Sequence, residues 1–217
     1  MAGIITALRF QKRNKNRVNV YLDGTFAFGL AAIEAARLHV GQTLGDDDIA
    51  RLRSHDEVEQ AHERALNFLS YRPRSEAEVR RNLRKKNVMD EAIEAVIERL
   101  TRAGMLDDRE FARYWVDNRL QFNPRGARAL VHELRQKGVP DSIITDTLVG
   151  FDEESSVRKA AENGARRLAH LEPADFRRRL SAYLARRGFS YVVIAPVVGE
   201  MLEMVRCEDV RDIESEE

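Results

Sequence analysis

The 217-residue sequence predicts a mainly α-helical fold, an elongated tandem array of three three-helix repeats preceded by a small antiparallel β-rich N-terminal extension. One observation behind this is a pattern that occurs three times. Val79, Leu83, Asn87, Val88, Ile93 and Ile97 are answered by Leu130, Leu134, Gly138, Val139, Ile144 and Leu148. Leu180, Leu184, Gly188, Phe189, Ile194 and Val198 repeat the set with the same internal spacings, at a period of roughly 50 residues. Composition is the second observation: 43% hydrophobic and 33% charged residues suit a soluble, helix-rich chain with one core or several small ones. The third is that β-prone runs are confined to the first part of the chain. Stacked units expose a long surface rather than a single pocket, so function is sought on a face.

Residues 1–55 form the predicted extension. Ile4 to Phe10 and Arg17 to Leu22 are β-prone, the second alternating Val18, Val20 and Leu22 with Arg17, Asn19 and Tyr21. Asp23-Gly24 supplies a two-residue hairpin turn before Thr25 to Phe28, since both residues tolerate positive φ. Leu30 to Leu38 is alanine-rich and predicts a helix, Gly41 to Gly45 a loop, and Asp46 to Leu52 a short capped helix.

The first repeat is placed at residues 56–106. Glu57 to Tyr71 predicts one helix, ended by Pro73. Ser75-Glu76-Ala77-Glu78 has the form of a capping box that starts a second helix, which buries Val79 and Leu83 and stops at Asn87. A third helix carries Ile93, Val96, Ile97 and Leu100 on one stripe and closes at Gly104. The second repeat, residues 107–154, opens on Asp107-Asp108-Arg109-Glu110 as another capping box and runs through Phe111, Tyr114, Trp115 and Leu120. Pro124-Arg125-Gly126 matches Pro73-Arg74-Ser75, and Pro140 is expected at a first helical position. Phe151 to Ser155 is the expected connector to the third repeat, residues 155–205. There Pro173 is shifted by one residue from register, and Pro196 predicts a kinked or late-starting last helix. Residues 206–217 form an acidic tail, which either is disordered or folds back over a basic face.

No enzyme chemistry is expected. Asp107 and Asp108 are adjacent and point in different directions, so capping explains them better than paired catalysis. Asp46 to Asp48 lacks the alternation, central glycine and terminal glutamate of a calcium loop. His39, His55, His62, His132 and His170 are dispersed without zinc-helix spacing. Gly24 and Gly29 belong to a hairpin rather than a phosphate loop, and Tyr114 and Trp115 are expected in the core. Neither cofactor nor metal is therefore predicted. The apolar run around Tyr191 to Val198 is far short of a bilayer span and Cys207 is the single cysteine, so a cytoplasmic protein is expected.

The formal net charge of zero hides segregation. Arg9, Lys12, Arg13, Lys15 and Arg17 form one basic block, Arg72 to Lys86 a second, and Arg177 to Arg179 with Arg186 and Arg187 a third. Any one block reads as an ordinary solvated face, but three on matching elements suggest a cationic stripe. Arg80 and Arg84 lie one turn apart on the second helix, as do Arg81 and Lys85, opposite Val79 and Leu83. Arg128, Arg135 and Lys137 echo them. Arg72, Arg74, Arg80, Arg81, Arg84, Lys85, Arg125, Arg128, Arg135, Arg178 and Arg186 are the candidate contacts to an acidic protein groove or a nucleic-acid backbone.

Leu69-Ser70-Tyr71-Arg72-Pro73-Arg74-Ser75, followed by Glu78, Val79 and Leu83, resembles the RecX regulatory proteins, modulators of the RecA recombinase. The resemblance continues through Gly104-Met105-Leu106-Asp107-Asp108 with Phe111-Ala112, Gly126, Leu134 to Gly138-Val139, and Arg186-Arg187-Gly188-Phe189. It covers roughly Ala61 to Met201 in family order, and Val18 to Gly24 resembles the β-rich extension of some members. It implies a repeat array lying along the groove of a RecA filament on single-stranded DNA. It further implies negative modulation of ATP hydrolysis, strand exchange and filament extension, linked to recombination, DNA repair and SOS control. No membrane partner is implied, and a monomer is expected. The alternative is a helical protein that acts by binding single- or double-stranded DNA directly.

Overall fold

The computed structural model describes residues 2–214, with side chains described through Arg206. The chain divides into two compact units, Met1–Arg74 with Glu78–Leu106, and Ser75–Ala77 with Asp107–Glu217.

In the first unit, β1 (Gly3–Phe10), β2 (Arg17–Leu22), β3 (Thr25–Ala31) and β4 (Thr43–Leu44) form an antiparallel sheet in the order β3-β2-β1-β4. The hairpin turn forms where the sequence predicts it, with Asp23 at φ 47° and Gly24 at φ 83°. Val18, Val20 and Leu22 alternate into a core shared with Ile5, Phe28, Leu30, Leu44 and Ile49.

Three expectations for this region need correction. The predicted helix over Leu30–Leu38 shrinks to α1 (Ala32–Ala35), because β3 continues along β2 to the Arg17–Ala31 pair. Ladder pairing and the burial of Leu30 outweigh alanine's helix propensity there. The expected Gly41–Gly45 loop contains β4, which pairs with Gly3 and Ile4. The two helices predicted over 46–52 and 57–71 are one, α2 (Asp46–Leu69). Asp48 Oδ2 accepts from the Gly45 amide at 3.1 Å and secures its start. Asp56, the first residue of the range assigned to the first repeat, lies inside α2 and receives a guanidinium fork from Arg17 at 3.0 and 2.7 Å.

Ala61 and Ala65 of α2 pack with Val79 and Leu83 of α3 (Glu76–Arg84). Ile93, Val96, Ile97 and Leu100 of α4 (Asp90–Arg102) complete this core. Full burial of one such leucine stabilises by about 1.5–3 kcal/mol.

The second unit holds two three-helix cores. One joins α5 (Asp108–Phe122), α6 (Ala127–Lys137) and α7 (Asp141–Leu148) around Phe111, Val116, Leu130, Leu134 and Ile144. The other joins α8 (Glu153–Leu168), α9 (Pro173–Arg186) and α10 (Tyr191–Glu214) around Val157, Phe176, Leu180, Leu184, Phe189 and Ile194. Every apolar position of the repeated pattern is buried except Leu148, which is half-buried.

All three second helices stop in the same way. The amides of Val88, Val139 and Phe189 reach back to the carbonyls of Leu83, Leu134 and Leu184 at 3.3, 3.1 and 3.4 Å. Asn87, Gly138 and Gly188 take positive φ (57°, 83° and 87°), and the apolar residue after each is buried.

Smaller differences follow from packing. Tyr114 is 39% exposed rather than in the core, and Trp115 is half-buried, because Phe111 and Ala112 take the inward positions of α5. Pro140 is the N-cap of α7 rather than its first residue, and the connector to the third repeat ends sooner, with Asp152 capping α8. Pro173 begins α9. Pro196 is exposed inside α10, which starts at Tyr191 and so does not begin late. The backbone of Glu208 to Glu214 continues α10, while residues 215–217 and the acidic side chains from 207 on lie outside the described residues.

The second unit also shows how its successive elements are joined. Ser75 Oγ donates to the Lys137 carbonyl at 2.6 Å, and the Glu76 amide donates to Asp108 Oδ1 at 2.8 Å. One repeat later the Gly126 amide donates to the Arg187 carbonyl at 3.0 Å, and the Ala127 amide to Glu153 Oε1 at 3.0 Å. Each helix start thus has one of its orphan amides satisfied by a carboxylate from another helix. Asp107 caps α5 as expected, accepting from the Arg109 amide at 2.7 Å, but Asp108 serves Glu76 instead of its own helix.

Burial raises the Asp108 carboxyl above the ordinary carboxylate range, although the Glu76 amide pulls it down. A raised native pKa contributes stability that is present at low pH and lost as pH rises through it. Asp108→Asn keeps an acceptor oxygen and removes the titration. The difference in thermal midpoint between variant and parent is therefore expected to move in the variant's favour as pH rises through the acid range; calorimetry that finds a pH-independent difference contradicts this.

Candidate interaction face

The candidate cations sit around the second helices and the loops that precede them, where inward Val79 and Leu83, or Leu130 and Leu134, leave the other side of the helix to solvent. In the first unit carboxylates match Arg72, Arg80 and Arg84 among these cations. Arg72 forks onto Glu78 at 3.1 and 2.9 Å, Arg80 pairs with Glu94, and Arg84 Nε lies 3.0 Å from Asp90. The hydrogen bond from Arg80 holds the Glu94 carboxyl below its ordinary range. Arg74 stacks on the Phe68 ring at 4.0 Å, and its Nε is buried without a hydrogen-bond partner. Burial, then the neighbouring Arg72 charge, pulls its pKa below the usual arginine value. Arg81 and Lys85 are exposed, and Lys85 has no ion pair among the described residues. The ordinary reading of a charged helix face, as a solvated and locally neutralised surface, therefore accounts for Arg72, Arg80 and Arg84.

In the second unit Glu133 gathers several groups. It accepts from Trp115 Nε1 at 2.8 Å and Arg119 Nε at 2.7 Å, and Arg125 Nε stands 3.5 Å away without hydrogen-bond alignment. Arg119 and Lys137 also lie over the Trp115 ring, at 4.3 and 4.8 Å. Trp115 is thereby enclosed by its own chain, in a position unsuited to stacking on a base. Arg135 Nε binds Asp141 at 2.7 Å, which holds the Asp141 carboxyl down and raises the arginine. Arg178 pairs with Asp175 at 2.7 Å.

Three candidates converge. Arg128, Arg135 and Arg186 line one open cleft of about 710 Å³, with His132, Ala129 and Gly188 between them. The cleft exists because the start of α6 closes onto the loop after α9: a Cβ on Gly188 would stand 2.6 Å from the Ala129 amide nitrogen. Arg128 and Arg186 are exposed and unpaired among the described residues. Arg187, adjacent in sequence, is turned inward, with Nη1 at 2.6 Å from Asn123 Oδ1 and the guanidinium over Tyr183 at 4.6 Å. One residue separates an outward cation from a structural one, a difference no charge count reveals.

Repeated three-helix cores with shared junction bonds define a tandem helical-repeat protein. The chain belongs to the RecX regulatory protein family. The family's N-terminal domain matches residues 3–44, and its first, second and third three-helix domains match residues 61–100, 107–148 and 152–198. Regulatory protein RecX of Bacillus subtilis (strain 168) is 35% identical over 217 residues, covering 98% of this chain and 81% of the relative. That of Bacillus velezensis is 36% identical over 195 residues, covering 88% and 74%. Among solved structures, a crystal structure of regulatory protein RecX has a TM-score of 0.69 at 28% identity, with 93% of this chain and 98% of that chain covered. RecX from Lactobacillus salivarius gives 0.60 at 25% identity, with 69% and 99% covered. No helix among the described residues is long and apolar enough to cross a membrane.

Proposed function

We propose that this protein binds the RecA recombinase filament on single-stranded DNA along its groove and negatively modulates ATP hydrolysis, strand exchange and filament extension. The observation that carries the reading is the match of all four family domains, in order, across nearly the whole chain. The mechanism is binding rather than catalysis: a protein that bridges successive protomers favours whichever filament state it fits better and slows passage out of it. It acts as a cytoplasmic monomer without cofactor, in recombination, DNA repair and SOS control. Among the candidate cations, Arg128, Arg186 and Lys85 are the most available to an acidic partner, with Arg81 exposed one turn before Lys85. Arg72, Arg74, Arg80, Arg84, Arg125, Arg135 and Arg178 chiefly hold the helices that display them. The division at 1–55, 56–106, 107–154, 155–205 and 206–217 is kept as the working domain scheme.

The expected result is a fall in the rate of ATP hydrolysis by RecA on single-stranded DNA when this protein is added below the RecA concentration. An unchanged rate across a wide range contradicts the reading. Unpaired Arg128 and Arg186 in one cleft also favour a second reading, direct binding to DNA. Order of addition separates the two: inhibition of preformed filaments at substoichiometric amounts supports the filament, while inhibition only at amounts that coat free DNA supports competition for the strand.

A further inference from the structure

Positive charge is spread unevenly over the repeats once ion pairs are formed. In the first repeat carboxylates hold Arg72, Arg80, Arg84, Arg99 and Arg102. In the second they hold Arg109, Arg119 and Arg135. In the third, Glu200 and Asp175 hold Arg158 and Arg178, but Arg166, Arg167, Arg177, Arg179 and Arg186 are exposed and make no ion pair among the described residues.

These free arginines are organised by the α8–α9 pair. Arg167, Arg179 and Arg186 line a cleft of about 280 Å³ whose floor includes Leu168, Ala182 and Tyr183. Arg186 is shared with the larger cleft that contains Arg128. No carboxylate lines either cleft, whereas a cleft of the first unit sets Asp56 and Glu57 beside Arg17, Arg53 and Arg64. Arg179 and Arg186 are two helical turns apart, about 10 Å along α9.

We propose that this tract, from Arg167 and Arg179 through Arg186 to Arg128, is a phosphate-binding track for the backbone of single-stranded nucleic acid. Guanidinium forks match phosphate oxygens in pairs. Apart from the Tyr183 hydroxyl, the side-chain polar groups of the smaller cleft are donors only, so it suits a ligand that presents acceptors only; a peptide would bring amides that these side chains leave unmatched. The apolar floor strengthens each charge contact by excluding water from one side. The proposal rests on the filament reading only for the choice of DNA as the polyanion. It assigns the third repeat, with Arg128 of the second, to DNA.

The test is fluorescence anisotropy of a labelled oligodeoxythymidine with the full chain, over a range of salt. Arg167→Ala, Arg179→Ala and Arg186→Ala combined are expected to weaken binding tenfold or more and to reduce the log–log salt slope by about 2, near 0.7 per lost phosphate contact. Arg158→Ala, which removes a paired arginine of the same repeat, is expected to keep the parental affinity. All of these side chains are exposed, so the thermal midpoint should hold and reports directly on folding. Parental affinity in the triple variant overturns the proposal, and so does displacement of the oligonucleotide by polyglutamate as effectively, per charge, as by unlabelled oligonucleotide. RecA ATP hydrolysis measured in parallel keeps the two readings apart. Inhibition by the parent with unchanged DNA affinity in the variant sinks only this site; DNA affinity lost in the variant without inhibition by the parent sinks only the filament reading.

Discussion

Gly126→Ala is expected to destabilise the second unit by about 3 kcal/mol, the upper range for inserting a carbon into a closed contact. A Cβ at this position would stand 2.3 Å from the Gly188 carbonyl oxygen and 2.5 Å from the Phe189 amide nitrogen. Both obstacles are backbone, so no side chain can swing aside. The Gly126 amide also donates to the Arg187 carbonyl at 3.0 Å, and the displaced segment of chain would lose that bond. Gly126 has an ordinary φ of −76°, so the requirement is for space and not for backbone conformation. Gly199→Ala, where the added carbon meets nothing within 4 Å on α10, is the matched control. It should be neutral or stabilising by up to about 1 kcal/mol through helix propensity. Denaturant unfolding of the two variants that gives equal stabilities would show that the close approach relaxes freely. Since the same approach forms the wall between Arg128 and Arg186, Gly126→Ala is also expected to weaken whatever binds there.

The second large effect lies in the first unit. Asp56→Ala is expected to cost about 3–5 kcal/mol, as for other pairs in which one partner of a buried ion pair is removed. Arg17 and Asp56 side chains are only 16% and 7% exposed, and Asp56 also accepts from Gln60 at 2.7 Å. Without the carboxylate, Arg17 stays among the sheet and α2 with its charge unanswered. Replacing both residues, as Arg17→Met with Asp56→Leu, is expected to cost less than Asp56→Ala alone, because no orphaned charge remains. A double-mutant cycle by chemical denaturation checks this, and additive losses would contradict it.

Much of the local structure was legible because its causes are local. The Asp23-Gly24 turn and the stops at Asn87, Gly138 and Gly188 depend on which residues accept positive φ. The buried stripes of α3, α6 and α9 depend on helical spacing. Where elements compete, the reading was weaker. Alanine-rich Leu30–Leu38 gave way to strand pairing, and the helices expected at 46–52 and 57–71 are one, in which Asp56 meets a partner 39 residues away. The binding face was the least legible part. The sequence shows Arg186 and Arg187 as one block, but the first lines a cleft and the second bonds Asn123. Arg167 stands in no predicted stripe, and no sequence signal distinguishes it from Arg166.

By itself, then, the sequence determined the inward stripes of α3, α6 and α9 and the residues at which these three helices stop, since these follow from periodicity and backbone preference within a few residues. Only the tertiary structure decided which cations remain free. Charge neutralisation depends on carboxylates that arrive from other helices, as Glu94 does for Arg80 and Asp146 for Arg109. The glycine at 126 likewise acquires its purpose only when the loop at Gly188 folds against it.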